Sequence, residues 1–528
     1  MSHFSFAIDG SIVGLYLLVT MVAGIFVRKY VGKVEHFLVA GREMNVFLGI
    51  ASLAATEFGI VTCMYSAQLG YDYGFAGATP GICQAVAMLV IGVTGFCIKP
   101  LRDSGVITIP ELLEKRFGPR VRWAAGVVII LGGLLNMGIF LRVGGNFLVE
   151  VSGLDTKTFP LEWMMTALLV MVAVYTILGG MLSVLVTDFL QFVVMSVGLI
   201  TVTALILYQI GWDKLAETVS SSLVWERVTD ADTGVAIDRS EKLGTGGFNP
   251  FVNPKLGWSW VVFQILIQTA ATLTWQTTIA RVLAAKDTAT GRKIYTRTSF
   301  FFVCGFLLPA IWGIAALVDF PRLPESSPDW SKDYSMHMMP AFLSHFLPVG
   351  LMGLLLAAML AAEMSTDSSY MLTWASVIYN DLLAPFHRHR WSEKTGLLWN
   401  RCIVAAIGVF LMFYGLWYPL EGNVWQYLAI TGSIYLSSMS MLLIACCYLK
   451  WANNWGAIGS IIFGALFPAS YLVLQQVPAT KEFAGSIGDN YAGIASYVAA
   501  ALAMVVGSVL KNQIRPTSAS PTMHEVLP

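Results

Sequence analysis

Residues 357–376 read AAMLAAEMSTDSSYMLTWAS and concentrate hydroxyl and carboxyl groups inside an apolar run that begins at Pro348. On an α-helix, with about 100° between successive residues, Ala358, Ala362, Ser365, Thr366, Ser369, Thr373 and Ser376 share a sector roughly 100° wide. Glu363, Asp367 and Tyr370 form a second face, roughly 110–120° away by the same geometry. The hydroxyl face can supply oxygen ligands to a hard cation. It can equally be helix–helix packing, because small and hydroxylated residues let helices approach closely in lipid. The two acids are expensive in a helix of membrane length and mark a functional site by default.

Other apolar runs carry partners for that stripe. In VFLGIASLAATEFGIVTCMYSAQLGY, the segment AATEFG is a poor continuous helix and contains Thr56, Glu57 and Gly59. Unwinding there frees backbone carbonyls, which the bilayer tolerates only beside a cavity; a helix packed through its glycines is the alternative. Arg142, in MGIFLRVGGNFL, can neutralise Glu57 or receive a solute carboxylate. Asp188, in LSVLVTDFLQF with Thr187 and Gln191 beside it, must be paired, protonated or bound to a cation. Gln84 stands one turn after Pro80, Trp275, Gln276 and Thr277 lie deep in another apolar run, and Gln426 lies near the end of a further one. We take Thr56, Glu57, Gln84, Arg142, Trp275, Gln276 and Gln426 as candidates for a solute cavity.

Long apolar helices must position these groups. Of 528 residues, 56% are hydrophobic and 12% charged, and the mean hydropathy is +0.69. A soluble chain carries about 25% charged residues. The apolar content falls in runs of about 20 residues, each long enough to cross a bilayer. Thirteen spans are expected, near 9–28, 46–70, 78–99, 123–149, 160–179, 183–210, 257–281, 298–319, 347–380, 399–418, 424–449, 455–475 and 489–510. Placing the N-terminus outside puts 22 of the 32 Lys and Arg in cytoplasmic loops and tail, the bias that sets orientation. Trp258, Trp260, Trp312, Trp417 and Trp425 are expected as interfacial anchors. The long outer loops 211–256 and 320–346 have room for short surface helices, and 512–528 reads as a disordered tail. The seven cysteines show neither zinc spacing nor a disulfide framework. The net charge of zero and the lack of a basic block give no reason to expect a nucleic-acid partner, and no obligatory protein partner is evident.

Five pieces together resemble the sodium:solute symporters: FLVAGREM (37–44), ITIPELLEKRFGPRVR (107–122), YTILGGMLSVLVTDFLQ (175–191), ARVLAAKD (280–287) and LAAEMSTDSS (360–369). They occur in family order over roughly residues 37–450. The resemblance implies an all-α polytopic membrane protein with a 5+5 inverted repeat of the leucine-transporter type, the repeats spanning about 46–210 and 257–449. An extra helix would precede them in 1–36 and two more would come after them in 451–511. It also implies a sodium site at the carbonyls of Ala55, Phe58 and Ala362 and the hydroxyls of Ser365 and Thr366. Asp188, Ser365, Ser368 and Ser369 match a second sodium site found in some members, so the implied cargo is one or two sodium ions.

The departures are Glu57, Glu363 and Asp367, where neutral or small residues are more usual, and WQTTIAR, which lacks a glycine or proline to mark a helix break. Glu363 and Asp367 can pair with basic residues, line a cytoplasmic exit or carry a proton. The expected activity is sodium-coupled symport of a small polar organic solute, zwitterionic or charged, across a cell membrane. Proton coupling on the same fold and a transporter-like sensor are the alternatives. No nucleophile–base pair or buried histidine suggests an enzyme.

Overall fold

Short polar side chains start many of the helices by accepting free backbone amides at the first turn. Asn45 accepts from the Leu48 amide at 3.0 Å, Asp287 from Thr290 at 2.7 Å and Ser392 from Thr395 at 3.2 Å. The computed structural model describes residues 4–157, 160–229, 236–331, 334–386, 391–417, 424–514 and 522–523, without the side chains of Phe386, Trp425 and Gln426.

In chain order the first helices are α1 (Asp9–Phe26), α2 (Val46–Glu57), α3 (Ile60–Tyr73), α4 (Thr79–Thr94), α5 (Ile109–Phe117), α6 (Pro119–Met137), α7 (Phe140–Ser152) and α8 (Leu161–Gln209). A short helix and an antiparallel hairpin, β1 (Leu223–Thr229) with β2 (Ala236–Lys242), fill the first long loop. Then come α9 (Gly257–Thr274), α10 (Gln276–Ala284), α11 (Thr288–Asp319), α12 (Tyr334–Phe346) and α13 (Leu351–Val377). The chain continues through α14 (Glu393–Leu411), α15 (Val424–Tyr448), α16 (Asn454–Gln476) and α17 (Asp489–Ile514). The expected surface helices of the long loops are present; the hairpin is an addition to them.

Ten helical stretches among the described residues are long and apolar enough to cross a membrane, against thirteen expected. Three features account for the gap, two of them in counting alone, because the stretches 60–94 and 161–209 each hold parts of two expected spans. Residues 60–94 form one stretch, in which Gly74 at φ 67° ends α3 and a short turn leads into α4. Residues 161–209 form one stretch bent at Gly180, whose φ of 52° and ψ of −144° are not helical. A side chain at Gly180 would also stand 2.5 Å from the Phe37 carbonyl oxygen. The third, α9, falls short because Gln264 and Gln268 lower its hydropathy.

The helix with the hydroxyl stripe is the axis of the fold. Every α13 residue from Leu355 to Val377 is buried, and α8, α1, α2 and α7 pack around it. Elsewhere glycines permit backbone-to-backbone crossings: a Cβ at Gly70 would lie 2.3 Å from the Ala310 carbonyl oxygen, and one at Gly313 would lie 1.9 Å from that of Ala67. These seat α3 against α11, the close approach that small residues allow.

At the basic end of the bundle, arginines tie the loops to helix ends. Arg122 meets Asp381 at 2.8 Å, Glu114 at 2.5 Å and the Asn380 carbonyl at 2.6 Å. Arg102 donates to the carbonyls of Ala285 and Lys286 at 2.6 and 2.9 Å. Met44 and Ala285 form a parallel bridge. The FLVAGREM and ARVLAAKD pieces therefore meet in space, while ITIPELLEKRFGPRVR is tied to Asn380 and Asp381 beyond α13.

Two expectations need correction. Trp312 and Trp260 are buried rather than interfacial; Trp312 donates to the Thr203 hydroxyl at 2.8 Å, so its polar edge is satisfied inside the bundle. Trp258 is 71% exposed and Trp417 45%, as anchors should be, and the Trp425 side chain lies outside the described residues. The expected tail begins too early, because α17 stays helical through Ile514; most of the chain beyond Ile514 lies outside the described residues.

Candidate functional site

Two interruptions of helix create the site. The first lies between α2 and α3, where Phe58 (φ −101°, ψ 81°) and Gly59 (φ −87°, ψ 169°) leave helical geometry. The end of a helix leaves its last carbonyls without intrahelical partners, and Ala55 and Phe58 lie in that stretch. The second lies at Trp275 (φ −61°, ψ 115°), between α9 and α10. No glycine or proline causes it. Tertiary contacts hold it instead: Trp275 Nε1 donates to the Tyr370 hydroxyl at 3.0 Å, and the indole stacks on Tyr435 with centroids 5.4 Å apart.

Thr366 joins the first interruption to α13. Its Oγ1 lies 3.0 Å from the Thr56 carbonyl and 3.0 Å from the Ala362 carbonyl. A Cβ at Gly59 would stand 2.9 Å from that oxygen, so the glycine permits the approach. Carbonyl and hydroxyl oxygens from two helices thus converge, the donor type that hard cations prefer.

Beside it lies a second, charged cluster. Asp188 Oδ1 accepts from Ser365 at 2.6 Å; its Oδ2 accepts from Ser52 at 2.5 Å and from Arg281 at 3.2 Å. Arg281 also donates to Thr56 Oγ1 at 2.7 Å, Ser369 Oγ at 2.5 Å, Ser52 Oγ at 3.1 Å and the Thr277 carbonyl at 3.2 Å. Both members of the ion pair are fully buried. Ser365 therefore faces Asp188 rather than Thr366, and Ser368 donates to the Ser365 carbonyl at 3.1 Å instead of to the aspartate. The expected second sodium cluster is assembled around a guanidinium.

Next to both clusters is a cavity of about 780 Å³ of atom-free space, part of it open to solvent. Of the residues expected there, Thr56, Glu57, Gln84 and Trp275 line it, and Thr366, expected as a sodium ligand, lines it too. Glu57 Oε1 accepts from the hydroxyls of Thr277 and Thr278, each at 2.7 Å. Those threonines sit in the first turn of α10, where the helix dipole favours an anion.

Two expected residues fall elsewhere. Arg142 donates to the Leu416 carbonyl and lies 3.6 Å from Glu162, so it neither reaches Glu57 nor lines the cavity. Gln276 is buried outside the lining, with no hydrogen-bond partner for either amide atom among the described residues. The Gln426 side chain lies outside the described residues. Glu363 and Asp367, at 1% and 0% exposure, are not in the lining either; Glu363 Oε1 and both Asp367 oxygens have no hydrogen-bond partner among the described residues. Gly144 of α7 closes over the Glu363 carboxylate.

The cavity also holds Asn136, Gln268 and Tyr65, which their place in the sequence did not single out. Asn136 Nδ2 donates to the Leu428 carbonyl at 2.9 Å, fixing the amide at the wall. A polar residue in an apolar helix was the available signal for Asn136 and Gln268.

The family model described as Sodium:solute symporter family matches residues 37–464. A sodium/myo-inositol cotransporter 2 from Oryctolagus cuniculus is 26% identical, the match covering 89% of this chain and 70% of that protein. A sodium/glucose cotransporter 4 from Mus musculus is 25% identical, covering 90% and 70%. Among solved structures, a Na+-coupled sialic acid symporter in a substrate-bound outward-open state superposes with a TM-score of 0.74 at 16% identity, covering 95% of this chain and 97% of that one. Mhp1, a nucleobase-cation-symport-1 family transporter, gives 0.54 at 12% identity, covering 91% and 95%.

Proposed function

The chain belongs to the sodium:solute symporter family, a family of multi-pass membrane transporters rather than enzymes, and from that premise we propose that it carries one sodium ion inward together with a small polar organic solute. The observation that carries this reading is Thr366 Oγ1, placed 3.0 Å from the Thr56 carbonyl at the α2 break and 3.0 Å from the Ala362 carbonyl on α13. Sodium is seated there by carbonyls of the Ala55–Phe58 segment, the Ala362 carbonyl and the Thr366 hydroxyl. The solute lies in the adjoining cavity, which shares Thr56 and Thr366 with the ion site. Seating the ion orders the α2 break, and the break carries Glu57 into the solute cavity, so the two cargoes favour each other's binding.

A single sodium suits this chain because Arg281 already supplies a positive charge to Asp188. A buried aspartate so paired, with two serine hydroxyls on it, needs no further cation. The N-terminus lies outside and the C-terminus in the cytoplasm, in keeping with the basic loops.

The test is uptake into liposomes that contain the purified protein, with radiolabelled solutes supplied as a panel. An inward sodium gradient at fixed pH is expected to drive accumulation of at least one of them. Accumulation indifferent to sodium overturns the reading. A second reading adds a proton to the cargo, since Glu363 and Asp367 stand one turn apart with three carboxylate oxygens that accept no hydrogen bond among the described residues. An inward proton gradient at equal sodium then drives accumulation by itself.

A further inference from the structure

We infer that the solute of this cavity is a small organic cation, its ammonium group seated on Glu57 among aromatic rings; this rests on the proposed symport and specifies its cargo. The charge of the lining comes first. Among the described residues around the cavity, Glu57 is the one carboxylate, and there is no Lys, Arg or His. Both hydroxyl bonds to Glu57 fall on Oε1, which leaves Oε2 to the cavity that the residue lines. The two threonine hydroxyls donate to the carboxyl, and the α10 N-terminus faces it, but neither supplies a full counter-charge.

The nearby cation is already committed. The hydrogen bonds of Arg281 go to Asp188, Ser52, Thr56, Ser369 and the Thr277 carbonyl, none to Glu57. No ion pair to Glu57 exists among the described residues. The sodium ligands lie at the break and on α13, whereas the Glu57 carboxylate is drawn across to α10. A carboxylate in a poorly hydrated core is costly until a positive charge meets it, and the cargo is what enters this space.

The walls fit such a cargo. Tyr65, Phe140, Trp275, Phe306 and Tyr370 line the cavity. Tyr65 and Phe306 meet edge to face at 5.7 Å, and Trp275 and Tyr370 at 5.8 Å. Ring faces attract ammonium groups, quaternary ones included. Gln84, Gln268 and Asn136 add hydrogen-bonding groups for a hydroxyl elsewhere on the solute. A carboxylate on the solute would find no counter-charge here, because Arg142 is held at Leu416 and Glu162. The zwitterion that Arg142 and Glu57 together suggested is thereby replaced by a cation.

The experiment measures tracer-sodium influx into liposomes containing the full chain. The probes are choline, ethanolamine, myo-inositol, D-glucose and sialic acid, each added outside at equal concentration. Choline or ethanolamine is expected to accelerate sodium influx, and the polyol, the sugar and the acid are not. Glu57→Gln is expected to weaken the ammonium response about tenfold or more, while sodium alone still raises the melting temperature of the variant. Glu57→Asp, which keeps the charge, recovers part of the response and guards against a folding defect in the glutamine variant. Acceleration by myo-inositol, glucose or sialic acid but by neither ammonium probe overturns the inference and leaves sodium symport intact. A panel in which no probe acts also overturns it. Loss of the sodium-induced melting shift in the wild type points instead at the symport reading.

Discussion

At the residue scale, two hydroxyl-rich contacts do different work. Thr366 bridges helices through an oxygen alone, so Thr366→Ala is expected to abolish the sodium-dependent rise in melting temperature, whereas Thr366→Ser preserves it. Asp188 and Arg281 form a buried pair, and removing one member strands the other. Asp188→Asn should therefore destabilise the protein by roughly 3–5 kcal/mol, read as a fall in melting temperature with and without sodium. An unchanged melting temperature with weakened sodium binding would restore Asp188 as an ion ligand. Thr56, Glu57, Gln84 and Thr366 were legible in the sequence because each is a polar residue within an apolar run. The Asp188–Arg281 pair was not, since its members are 93 residues apart and each alone is compatible with a bound ion or a solute. Arg142 misled for the same reason: its charge was visible and its partner, Glu162, was not.

At the element scale, the α2 break was readable from AATEFG because Gly59 weakens a helix and frees carbonyls. The α9–α10 break was not, because Trp275 has no local reason to leave the helix and does so through Tyr370 and Tyr435. Glycine crossings were visible as residues but not as contacts. Gly313→Ala is expected to lower the yield of monodisperse protein and its melting temperature, since the new Cβ would fall 1.9 Å from the Ala67 carbonyl oxygen. Gly14→Ala, at a position with nothing within 4 Å, should be neutral; equal behaviour of the two would refute the α3–α11 crossing. On α13, Glu363 and Asp367 carry buried oxygens that accept no hydrogen bond among the described residues, and an unmet buried polar group costs about 1–3 kcal/mol. The double variant Glu363→Met, Asp367→Leu, which removes the unmet groups at similar volume, is accordingly expected to melt higher than the wild type in detergent. A lower melting temperature would show that the pair holds something the protein needs.

At the scale of the whole molecule, the leucine-transporter type of fold places two interrupted helices against one continuous axis, and the arginine clamps gather at one end. The membrane class and the broad course of the spans were plain from hydropathy. Gly74 and Gly180 break the helices between neighbouring expected spans, whereas the hairpin depended on packing that no local pattern encodes. The basic end is expected to be cytoplasmic. Lys481→Cys, exposed at the far end, should react with an impermeant maleimide on intact cells, and Arg120→Cys, exposed at the basic end, only after permeabilisation; the reverse pattern inverts the topology. Sodium held where Thr366 meets the α2 break, with Arg281 in the place of a second ion, is the core of the proposed mechanism. Equilibrium binding of tracer sodium to the purified chain bears on both halves of it at once. One sodium ion per chain is expected in the wild type and none in Thr366→Ala. Two ions per chain, or one retained in Thr366→Ala, would contradict it.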